Sequence, residues 1–282
     1  MTAETDRLQV RAPAKLNLSL RVLRRREDRF HEIETFISPI SLYDELDFET
    51  GGEGVRFICD DGSVPTGAEN LVVRAATEFF GATGLRSGVT IRLRKRIPHG
   101  AGLGGGSSDA ATTLLALNTL FATNLPREAL AKLSESIGSD VPFFIYQSAA
   151  MCRGRGQLIE PEKLKESLSI LLVKPEFAVA TPWAYSRWKD SQPIPDVKYE
   201  PQEYHNHTFV NDLERPVFEK YVFLARLKMW LLGQPEVEIA LMSGSGSTVF
   251  VVLKSPDAGG TLAERAKQEL DPNLWTCACY TI

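Results

Sequence analysis

The sequence predicts a two-domain protein of the α/β class whose second half is a compact α+β domain. The chain has 282 residues, which is enough for two modest domains. Apolar stretches with strand period and with helical period alternate along it. Around residue 160 a polar stretch is followed by a fresh apolar strand. This change predicts a boundary between an N-terminal domain over 1–160 and a C-terminal domain over 161–282.

The bulk composition is that of an ordinary globular protein. Hydrophobic residues make up 43% of the chain and charged residues 24%, and the formal net charge is -4. A mildly acidic chain gives no electrostatic reason to expect a nucleic-acid partner. The N-terminal stretch has no basic region followed by an apolar core, and no apolar run approaches the length of a membrane span. We therefore expect a cytoplasmic protein without a membrane partner, and by default a monomer or homodimer.

The first half of the chain predicts two strands, a capped helix and a third strand. Residues 9–24 alternate apolar and polar side chains, and an extended stretch over 36–50 follows a charged turn. A helix over 70–80 begins after Asn70, a good N-cap residue, and ends at the glycines that follow. Residues 88–98 form the next strand, which leads into a glycine-rich loop.

The rest of the chain predicts further helices and strands, separated by loops. The predicted elements are helices over 108–121 and 126–137, loop and strand over 138–154, a strand before residue 175, a long surface loop over 191–207, a helix over 217–232, a glycine turn over 242–248, a strand over 249–254, a helix over 259–270 and a final strand. No internal repeat is visible, so the two halves are not copies of one unit.

The segment Pro98–Ser108, called here the glycine loop, has five glycines in seven residues and runs into a predicted helix. Small residues let a backbone wrap a polyphosphate with its N–H groups, and the first helical turn adds a partial positive charge. The hydroxyls of Ser107 and Ser108 can cap the helix or contact a phosphate or its magnesium. A simple turn needs only one or two glycines, so the loop predicts a phosphate site. Asp109 follows, and we expect it to suit the helix dipole while facing away from the ligand.

Two widespread phosphate loops fit this context poorly. Gly100, Gly102 and Gly105 satisfy the G-x-G-x-x-G spacing of dinucleotide-binding proteins. In that fold the preceding strand is a continuous apolar run, and an acidic residue follows about twenty positions later. Here arginines alternate along the preceding strand, and the later positions read "TLFATNLP". The P-loop requires a lysine after its last glycine, where this chain has Ser107.

Four motifs in one order resemble the GHMP kinase superfamily, named for galactokinase and for homoserine, mevalonate and phosphomevalonate kinases. They are "APAKLNL", "RIPHGAGLGGGSSDAA", "GSDVPFF" and "MSGSGSTVF". The resemblance spans nearly the whole chain and implies a two-domain fold with ATP and substrate in the cleft between the halves. It also implies phosphoryl transfer from ATP, with Mg²⁺. The first segment is most similar to the branch that phosphorylates the 2-hydroxyl of a cytidine-diphosphate-linked methylerythritol in the non-mevalonate isoprenoid route.

The motif match implies a role for particular residues. Lys15 and Asp140 are the expected catalytic pair, and Asp140 is also expected to contact the substrate. The expected ATP-binding residues are Pro98, His99, Gly100, Ala101, Gly102, Leu103, Gly104, Gly105, Gly106, Ser107 and Ser108, with Gly244, Ser245 and Gly246. The last three belong to Gly244–Ser247, called here the second glycine turn. The resemblance leaves the metal ligands open.

The residue types at the expected catalytic positions suit this chemistry. A kinase positions the reacting groups, neutralises charge and supplies a base for the alcohol proton. Asp140 lies in a turn ahead of an apolar run, and Lys15 lies on an otherwise apolar strand, so each side chain needs a partner. A lysine beside the carboxylate would keep it ionised, and Lys15 could instead contact the substrate. Asn17 falls on the same strand face as Lys15 and would line the same site, as a substrate-binding residue.

Phe30 and His31 predict a nucleobase site. An aromatic face beside a hydrogen-bonding ring suits a flat base with polar edges. The superfamily branch usually has tyrosine where this chain has Phe30, so the stacking face is kept and the hydroxyl is lost. The resemblance places a second aromatic ring on the opposite face of the base. Tyr185 is our candidate for that ring, with Thr181 nearby, and Trp183 is the alternative.

Two other functions remain alternatives at this point. One is a GHMP kinase that acts on homoserine or mevalonate, and the Phe30 and His31 pair argues against it because those substrates have no base. The other is a non-catalytic protein of GHMP fold that only binds a ligand. Such a protein would be expected to lack Lys15 or Asp140, and this chain has both.

Three remaining features predict no site. Cys277 and Cys279 lie one residue apart in a probable strand, and His205 and His207 flank an asparagine in the long loop. Neither pair has the further ligands that a metal site requires, so we expect no metal at either place. The segment "FVNDLE", Phe209–Glu214, resembles a superfamily segment to which no role can be given.

Overall fold

The computed structural model describes residues 6–282, so residues 1–5 of the predicted N-terminal domain lie outside the described residues. The described chain forms two compact units. The first unit comprises residues 6–14, Leu42–Pro98 and Gly104–Ser148, and the second comprises Lys15–Ser41, His99–Leu103 and Ala149–Ile282. Neither unit is one continuous piece of sequence, because the first two strands run through both. The predicted boundary at residue 160 stays a prediction.

Twelve strands and eight helices occur in residues 6–282, in the mixed α/β arrangement that the sequence predicts. They are β1 Arg7–Arg25, β2 His31–Thr50, β3 Val55–Cys59, α1 Leu71–Thr83, β4 Val89–Arg94, α2 Gly105–Leu120, α3 Arg127–Ser134, α4 Val141–Tyr146, β5 Ala150–Gly154, β6 Leu158–Pro161, β7 Ser169–Lys174, α5 Thr181–Arg187, β8 Gln202–Tyr204, β9 His207–Asn211, α6 Glu214–Lys220, α7 Val222–Leu232, β10 Val237–Met242, β11 Val249–Leu253, α8 Ala258–Glu269 and β12 Trp275–Tyr280. The long strands predicted over 9–24 and 36–50 are confirmed as β1 and β2.

The first unit packs helices α1 to α4 together beside a small mixed sheet. Strand β4 pairs in parallel with β3 and antiparallel with the last residues of β2, from Glu45 to Thr50. The alternation in β4 buries Val89, Ile91 and Leu93 and exposes the arginines between them. This sheet therefore has one polar face, which is why the strand before the glycine loop does not read as a continuous apolar run.

Helix α1 forms where its capping residues predict it. Asn70 is the N-cap, and its side chain accepts a hydrogen bond from the backbone N–H of Val72 at 2.8 Å. The helix ends at Gly84, whose φ of +68° is a left-handed conformation that suits glycine. The predicted cap and the predicted helix are both confirmed.

The second unit contains an antiparallel sheet in the order β10-β11-β7-β12. Its strands and helices α6, α7 and α8 enclose an apolar core that includes Val173, Leu227 and Val251. In the same unit β9 pairs in parallel with β1, with Leu20 opposite Asn211, and antiparallel with β8. The start of β2 pairs with β5, which continues into β6. The parallel pairing brings the segment after β9 close to the strand that carries Lys15.

The structure corrects three local predictions. Residues 138–154 were expected to form loop and strand, but Val141–Tyr146 is helix α4. Its first five residues are all buried, so no helical period marks it. The helix expected over 217–232 is two helices that meet at Tyr221, whose φ of -109° and ψ of 68° break the first. The loop expected over 191–207 contains the short strand β8. Within residues 6–282 no helix has both the length and the apolar character to cross a membrane.

Candidate active site

The glycine loop enters helix α2 through a glycine cap. The helix begins at Gly105, three residues before the predicted start, and Gly104 is the N-cap with φ of +71°. A side chain does not fit at Gly105, because a Cβ there would lie 2.9 Å from Ile97 Cγ2 and 3.0 Å from Lys95 Nζ. The first turn of a helix presents N–H groups that have no intrahelical acceptor. The glycine loop therefore ends at a helix N-terminus, which binds anions favourably.

Ser107 and Ser108 lie inside the first turn of α2, so neither serine is its N-cap residue. The hydroxyl of Ser108 is buried and has no hydrogen-bond partner among residues 6–282. A buried hydroxyl normally finds a partner, because leaving it unpaired costs free energy. The Ser108 hydroxyl is thus available to a ligand oxygen or a metal ion at the helix N-terminus.

Asp109 is buried in an ionic cluster, which the sequence does not predict. Its Oδ2 accepts a hydrogen bond from Lys95 Nζ at 2.8 Å, and the same ammonium donates to Asp44 Oδ2. Asp44 Oδ1 accepts from the backbone N–H groups of Arg96 and Ile97 at 2.6 and 2.8 Å. The cluster ties β2, the segment after β4 and the second turn of α2 together within the first unit. The expectation that Asp109 faces away from a ligand stays a prediction.

The two carboxyls of this cluster differ in their partners. Burial raises the pKa of Asp109 to about 8. The positive charge of Lys95 lowers this pKa, and the negative charge of Asp44 raises it. Asp44 receives three donors, whereas Asp109 Oδ1 is buried with no partner in the described part of the chain. Asp109 is therefore the carboxyl that holds a proton at neutral pH. With Asp109 neutral, Lys95 and Asp44 form an ordinary ion pair.

In the second unit the loop segment His99–Leu103 packs directly against the second glycine turn. The carbonyl of Gly102 accepts a hydrogen bond from Ser243 Oγ at 3.0 Å. The backbone N–H of Thr248 donates to Ala101 O at 3.3 Å. A Cβ on Gly102 would lie 2.2 Å from Ser243 O, and the φ of this glycine is +75°. The structure thus brings together two segments that the motif match assigns to one ligand.

Lys15 and Asn17 lie beside Leu103 of the glycine loop and beside the second glycine turn. The backbone N–H of Lys15 donates to Leu103 O at 2.9 Å. Its ammonium, with a residue exposure of 4%, donates to Asn17 Oδ1 at 2.5 Å. A Cβ on Gly244 would lie 3.2 Å from Asn17 Oδ1 and 3.4 Å from Lys15 Nζ. Asn17 and Lys15 therefore share a strand face, as the strand period predicts, and the second glycine turn packs against both.

Asp140 belongs to the first unit. It immediately precedes α4, with φ of -90° and ψ of -8°, and its side chain does not cap that helix. The residue is half-buried, so its carboxylate is not sequestered in the core. Its pairing with Lys15 and its role in proton transfer stay predictions.

Aromatic rings of the second unit gather around His31. The centroid of the Tyr185 ring lies 5.3 Å from that of His31 at an interplanar angle of 31°, and Trp188 meets His31 edge-on at 6.1 Å. Trp183 instead packs edge-on against Tyr221 at 5.8 Å. Of the two candidates for a second stacking ring, Tyr185 is the one beside His31. Its role in binding a base stays a prediction.

Phe30 presents a half-exposed ring next to His31. Its relative exposure is 49%, and the Arg155 guanidinium lies 4.7 Å from the ring centroid, in a cation–π contact. Burial and the nearby Arg25 lower the pKa of His31. At neutral pH the imidazole is therefore uncharged and offers one hydrogen-bond donor and one acceptor.

Several residues of these sites carry no recognisable sequence signal. Arg155 and Trp188, which directly follow β5 and α5, contact Phe30 and His31 respectively. Asp44 reaches Lys95 from β2. Thr181, predicted at the substrate, hydrogen-bonds Ser245 of the second glycine turn, with 2.7 Å between the hydroxyl oxygens. Each contact joins positions far apart in the chain, so only the fold could reveal it.

The two histidines of the β8–β9 hairpin have other partners. His207 stacks on Phe36 with centroids 5.4 Å apart and an interplanar angle of 7°. His205 Nδ1 lies 3.0 Å from Glu166 Oε2, an acidic partner that the sequence did not suggest. No group of three or more His, Cys, Asp or Glu side chains within residues 6–282 is arranged to hold a metal ion.

Comparison with known proteins defines the class of this fold and site. The model of the GHMP kinases N terminal domain matches residues 70–148, which include the glycine loop and Asp140. The crystal structure of a homoserine kinase from Cytophaga hutchinsonii is 19% identical, with a TM-score of 0.70 over 100% of this chain and 96% of that one. At this identity the likeness concerns the fold alone, and the fold is that of the GHMP kinases.

Closer relatives narrow the assignment to one family. A 4-diphosphocytidyl-2-C-methyl-D-erythritol kinase of Methylacidiphilum infernorum is 39% identical over 268 residues, 94% of this chain and 93% of the relative. The crystal structure of a 4-(cytidine 5'-diphospho)-2C-methyl-D-erythritol kinase is 37% identical, with a TM-score of 0.78 over 97% of this chain and 99% of that one. The chain therefore belongs to the 4-diphosphocytidyl-2-C-methyl-D-erythritol kinase family of GHMP kinases. It is an ATP-dependent kinase.

Replacing Asp109 by Asn should change how stability depends on pH. A carboxyl whose pKa rises from about 4 in the unfolded chain to about 8 in the folded protein stabilises the fold fully below the lower value. That contribution is lost as the pH rises through the higher value. The amide of the variant does not titrate, so Asp109→Asn should become more stable relative to the wild type as the pH rises from about 4 to about 8. Urea unfolding at a series of pH values measures the difference.

The exposed Asp257 provides a matched control for this prediction. Asp257→Asn makes the same chemical change at the protein surface. Its unfolding profile measures how much an Asp to Asn change at an exposed position alters the stability at each pH. Parallel profiles of Asp109→Asn and the wild type would show that Asp109 is ionised in the folded protein.

Proposed function

We propose that this protein transfers the γ-phosphate of ATP to the 2-hydroxyl of 4-diphosphocytidyl-2-C-methyl-D-erythritol, a step of the non-mevalonate route to isoprenoid precursors. The observation that carries the proposal is the near full-length similarity to kinases of that name. The aromatic rings around His31 support it, because a cytidine diphosphate substrate has a base to bind. Homoserine and mevalonate have none, and homoserine and mevalonate kinases of known structure share the fold at 12–19% identity.

The rings of the second unit bind the cytosine in this proposal. The base stacks on the half-exposed face of Phe30, and Tyr185 covers its other face. His31, uncharged at neutral pH, uses its donor and its acceptor to hydrogen-bond the polar edge of the base. The hydrogen bond between Thr181 and Ser245 supports a role for Thr181 near both substrates, because Ser245 belongs to the second glycine turn.

The glycine loop and the second glycine turn bind the phosphates of ATP. Their small residues let backbone N–H groups approach the phosphate oxygens, and the N-terminus of α2 favours negative charge. Magnesium fits the N-terminus of α2, because the buried hydroxyl of Ser108 has no partner within residues 6–282. We propose the Ser108 hydroxyl as a contact of the ion or of a phosphate oxygen. A bound Mg²⁺ neutralises charge on the phosphates.

The chain's own residues then move one proton and position the groups. The oxygen of the substrate 2-hydroxyl forms a bond to the γ-phosphorus, and Asp140 accepts the proton of that hydroxyl. The bond from the γ-phosphorus to the β–γ bridging oxygen breaks, which releases ADP. Lys15 stabilises the developing negative charge and orients the hydroxyl. The contact of its ammonium with Asn17 supports this role, because it restricts where the charge can lie.

We also propose the finer assignments that the sequence suggests. The protein works in the cytoplasm, where ATP is available, as a monomer or homodimer. Its N-terminal domain spans 1–160 and its C-terminal domain 161–282. Gel filtration at micromolar concentration tests the oligomeric state, and limited proteolysis tests the domain boundary.

The proposed function predicts a specific pattern of ADP release. The purified protein with ATP and Mg²⁺ should release ADP with 4-diphosphocytidyl-2-C-methyl-D-erythritol and not with homoserine or mevalonate. A coupled assay with all three acceptors at equal concentration measures this. Equal turnover with homoserine or mevalonate would contradict the proposal. Binding of ADP without turnover on any of the three would favour a ligand-binding protein.

Asp140→Asn should nearly abolish turnover and leave nucleotide binding intact. A positioned general base contributes typically about 10²–10⁴-fold to a rate, and an amide cannot accept the proton. The measurements are kcat in the coupled assay and the affinity for ADP by calorimetry. Asp257→Asn, on the surface, is the matched control and should behave as the wild type. Near-normal turnover of Asp140→Asn would remove Asp140 from the role of base.

Phe30→Ala should raise the KM for the cytidine substrate much more than the KM for ATP. Stacking of a base on an aromatic ring contributes about 1–3 kcal/mol, or roughly 5- to 150-fold in KM. Phe30→Tyr keeps the ring and should keep both KM values close to those of the wild type. If Phe30→Ala raises both KM values equally, the stacking assignment is wrong.

A further inference from the structure

The segment Phe209–Glu214 has no part in the proposed function, although the sequence singles it out. It contains the end of β9, a two-residue turn and the first residue of α6. Because β9 pairs in parallel with β1, the segment lies beside the strand that carries Lys15, with Val210 opposite Ser19. Two of its polar side chains, those of Asn211 and Glu214, hydrogen-bond the backbone of Met242 and Gly244.

The side chain of Asn211 is buried, with a residue exposure of 4%, and both its amide nitrogen and its amide oxygen make hydrogen bonds. Its Nδ2 donates to Met242 O at 2.6 Å and to Gly244 O at 2.8 Å. Its Oδ1 accepts from the backbone N–H of Leu213 at 2.9 Å. Carbonyl oxygens only accept hydrogen bonds, so the amide nitrogen must face Met242 and Gly244. An aspartate at this position would have the same shape and neither of these donors.

Glu214 holds the other side of Met242. Its Oε1 accepts from the backbone N–H of Met242 at 2.9 Å, and its Oε2 lies 2.6 Å from Lys228 Nζ. Both charged side chains are 1% exposed, and the ammonium of Lys228 also donates to Lys198 O at 2.7 Å. The peptide groups on both sides of Met242 are therefore fixed by buried side chains of one segment.

Within the second unit, the second glycine turn lies against Lys15, the expected catalytic lysine. A Cβ on Gly244 would lie 3.4 Å from Lys15 Nζ and 3.2 Å from Asn17 Oδ1. Ser243, the residue before the turn, donates through Oγ to Gly102 O at 3.0 Å. A displacement of the Gly244 peptide would therefore reach both the ammonium of Lys15 and the loop segment that precedes α2.

We propose that Asn211 is a positioning residue for phosphoryl transfer, because its side-chain amide sets the place of the Gly244 peptide against Lys15. Glu214 supports it by holding the neighbouring N–H of Met242. The inference rests on the proposed function for what Lys15 and the second glycine turn do. It differs from a stability role, because a displaced turn changes nucleotide binding and turnover in protein that remains folded.

Asn211→Asp in the full-length protein tests the inference. The carboxylate keeps an acceptor for the N–H of Leu213 but presents oxygen to the carbonyls of Met242 and Gly244, which should push the turn away. A small misplacement of reacting groups costs about 10- to 100-fold, so we expect losses of this size in ADP affinity and in kcat/KM for ATP. Calorimetry and the coupled assay, well below the melting temperature, give these values.

Asn118→Asp is the matched control. The Asn118 side chain also holds a turn, since its Nδ2 donates to Leu125 O at 3.1 Å and its Oδ1 accepts from Leu125 N at 2.9 Å. That turn follows α2 in the first unit. Asn118→Asp should lower the melting temperature and leave ADP affinity and kcat unchanged. If Asn211→Asp does the same, Asn211 has only a structural role and the inference is overturned.

Two further outcomes keep the test decisive. If Asn211→Asp does not fold, Asn211→Ser is measured by the same criteria, and wild-type ADP affinity and kcat in folded Asn211→Ser overturn the inference. If the wild type binds ADP but does not phosphorylate the cytidine substrate, the proposed function fails by itself. The ADP affinity of Asn211→Asp then still decides the inference, since an unchanged value overturns it.

Discussion

The close approach of the Gly102 backbone to the backbone of Ser243 and Gly246 is the constraint on which the arrangement in the second unit depends. No side chain fits at Gly102, where a Cβ would lie 2.2 Å from Ser243 O. Backbones this close bury carbonyl oxygens, and each buried carbonyl needs a donor. Ser243 Oγ supplies one to Gly102, and Asn211 supplies two to Met242 and Gly244. The polar side chains around the turn are thus a consequence of its glycines, because dense backbone packing must be paired to be stable.

In the first unit, charged side chains supply the partners for buried backbone groups. The segment before the glycine loop has backbone N–H groups at Arg96 and Ile97, and Asp44 accepts both. The buried carboxylate then requires a cation, which Lys95 supplies, and Lys95 reaches Asp109 on α2. Buried ion pairs add little net stability, since desolvation offsets their attraction. They nonetheless restrict geometry, because every alternative arrangement leaves a buried charge unpaired. The cluster therefore serves to fix the end of the loop more than to strengthen the fold.

The sequence predicts features whose cause is local, and it fails where the cause is a distant partner. The cap of α1 follows from Asn70 itself, and the glycine loop is recognisable because its spacing is unusual. Helix α4 is missed because its residues are buried on all sides and show no period. The ionic cluster of Asp109 is missed because no local pattern marks its members: Lys95 lies 14 positions before Asp109, and Asp44, the other partner of Lys95, lies 65 positions before it. Arg155 escapes for the same reason: only the pairing of β5 with β2 brings it to Phe30.

Phe30 and His31 serve two different parts of base recognition in the proposed function. Stacking uses the face of a ring and tolerates any base. Arg155 occupies one face of Phe30, which leaves the other face for the base. Choice among bases requires hydrogen bonds to a polar edge, and stacking rings alone cannot supply that choice. His31 can, because burial lowers its pKa and leaves an uncharged imidazole with one donor and one acceptor. In the proposed function, affinity for the nucleotide and selectivity for cytosine are therefore assigned to different residues, Phe30 and His31.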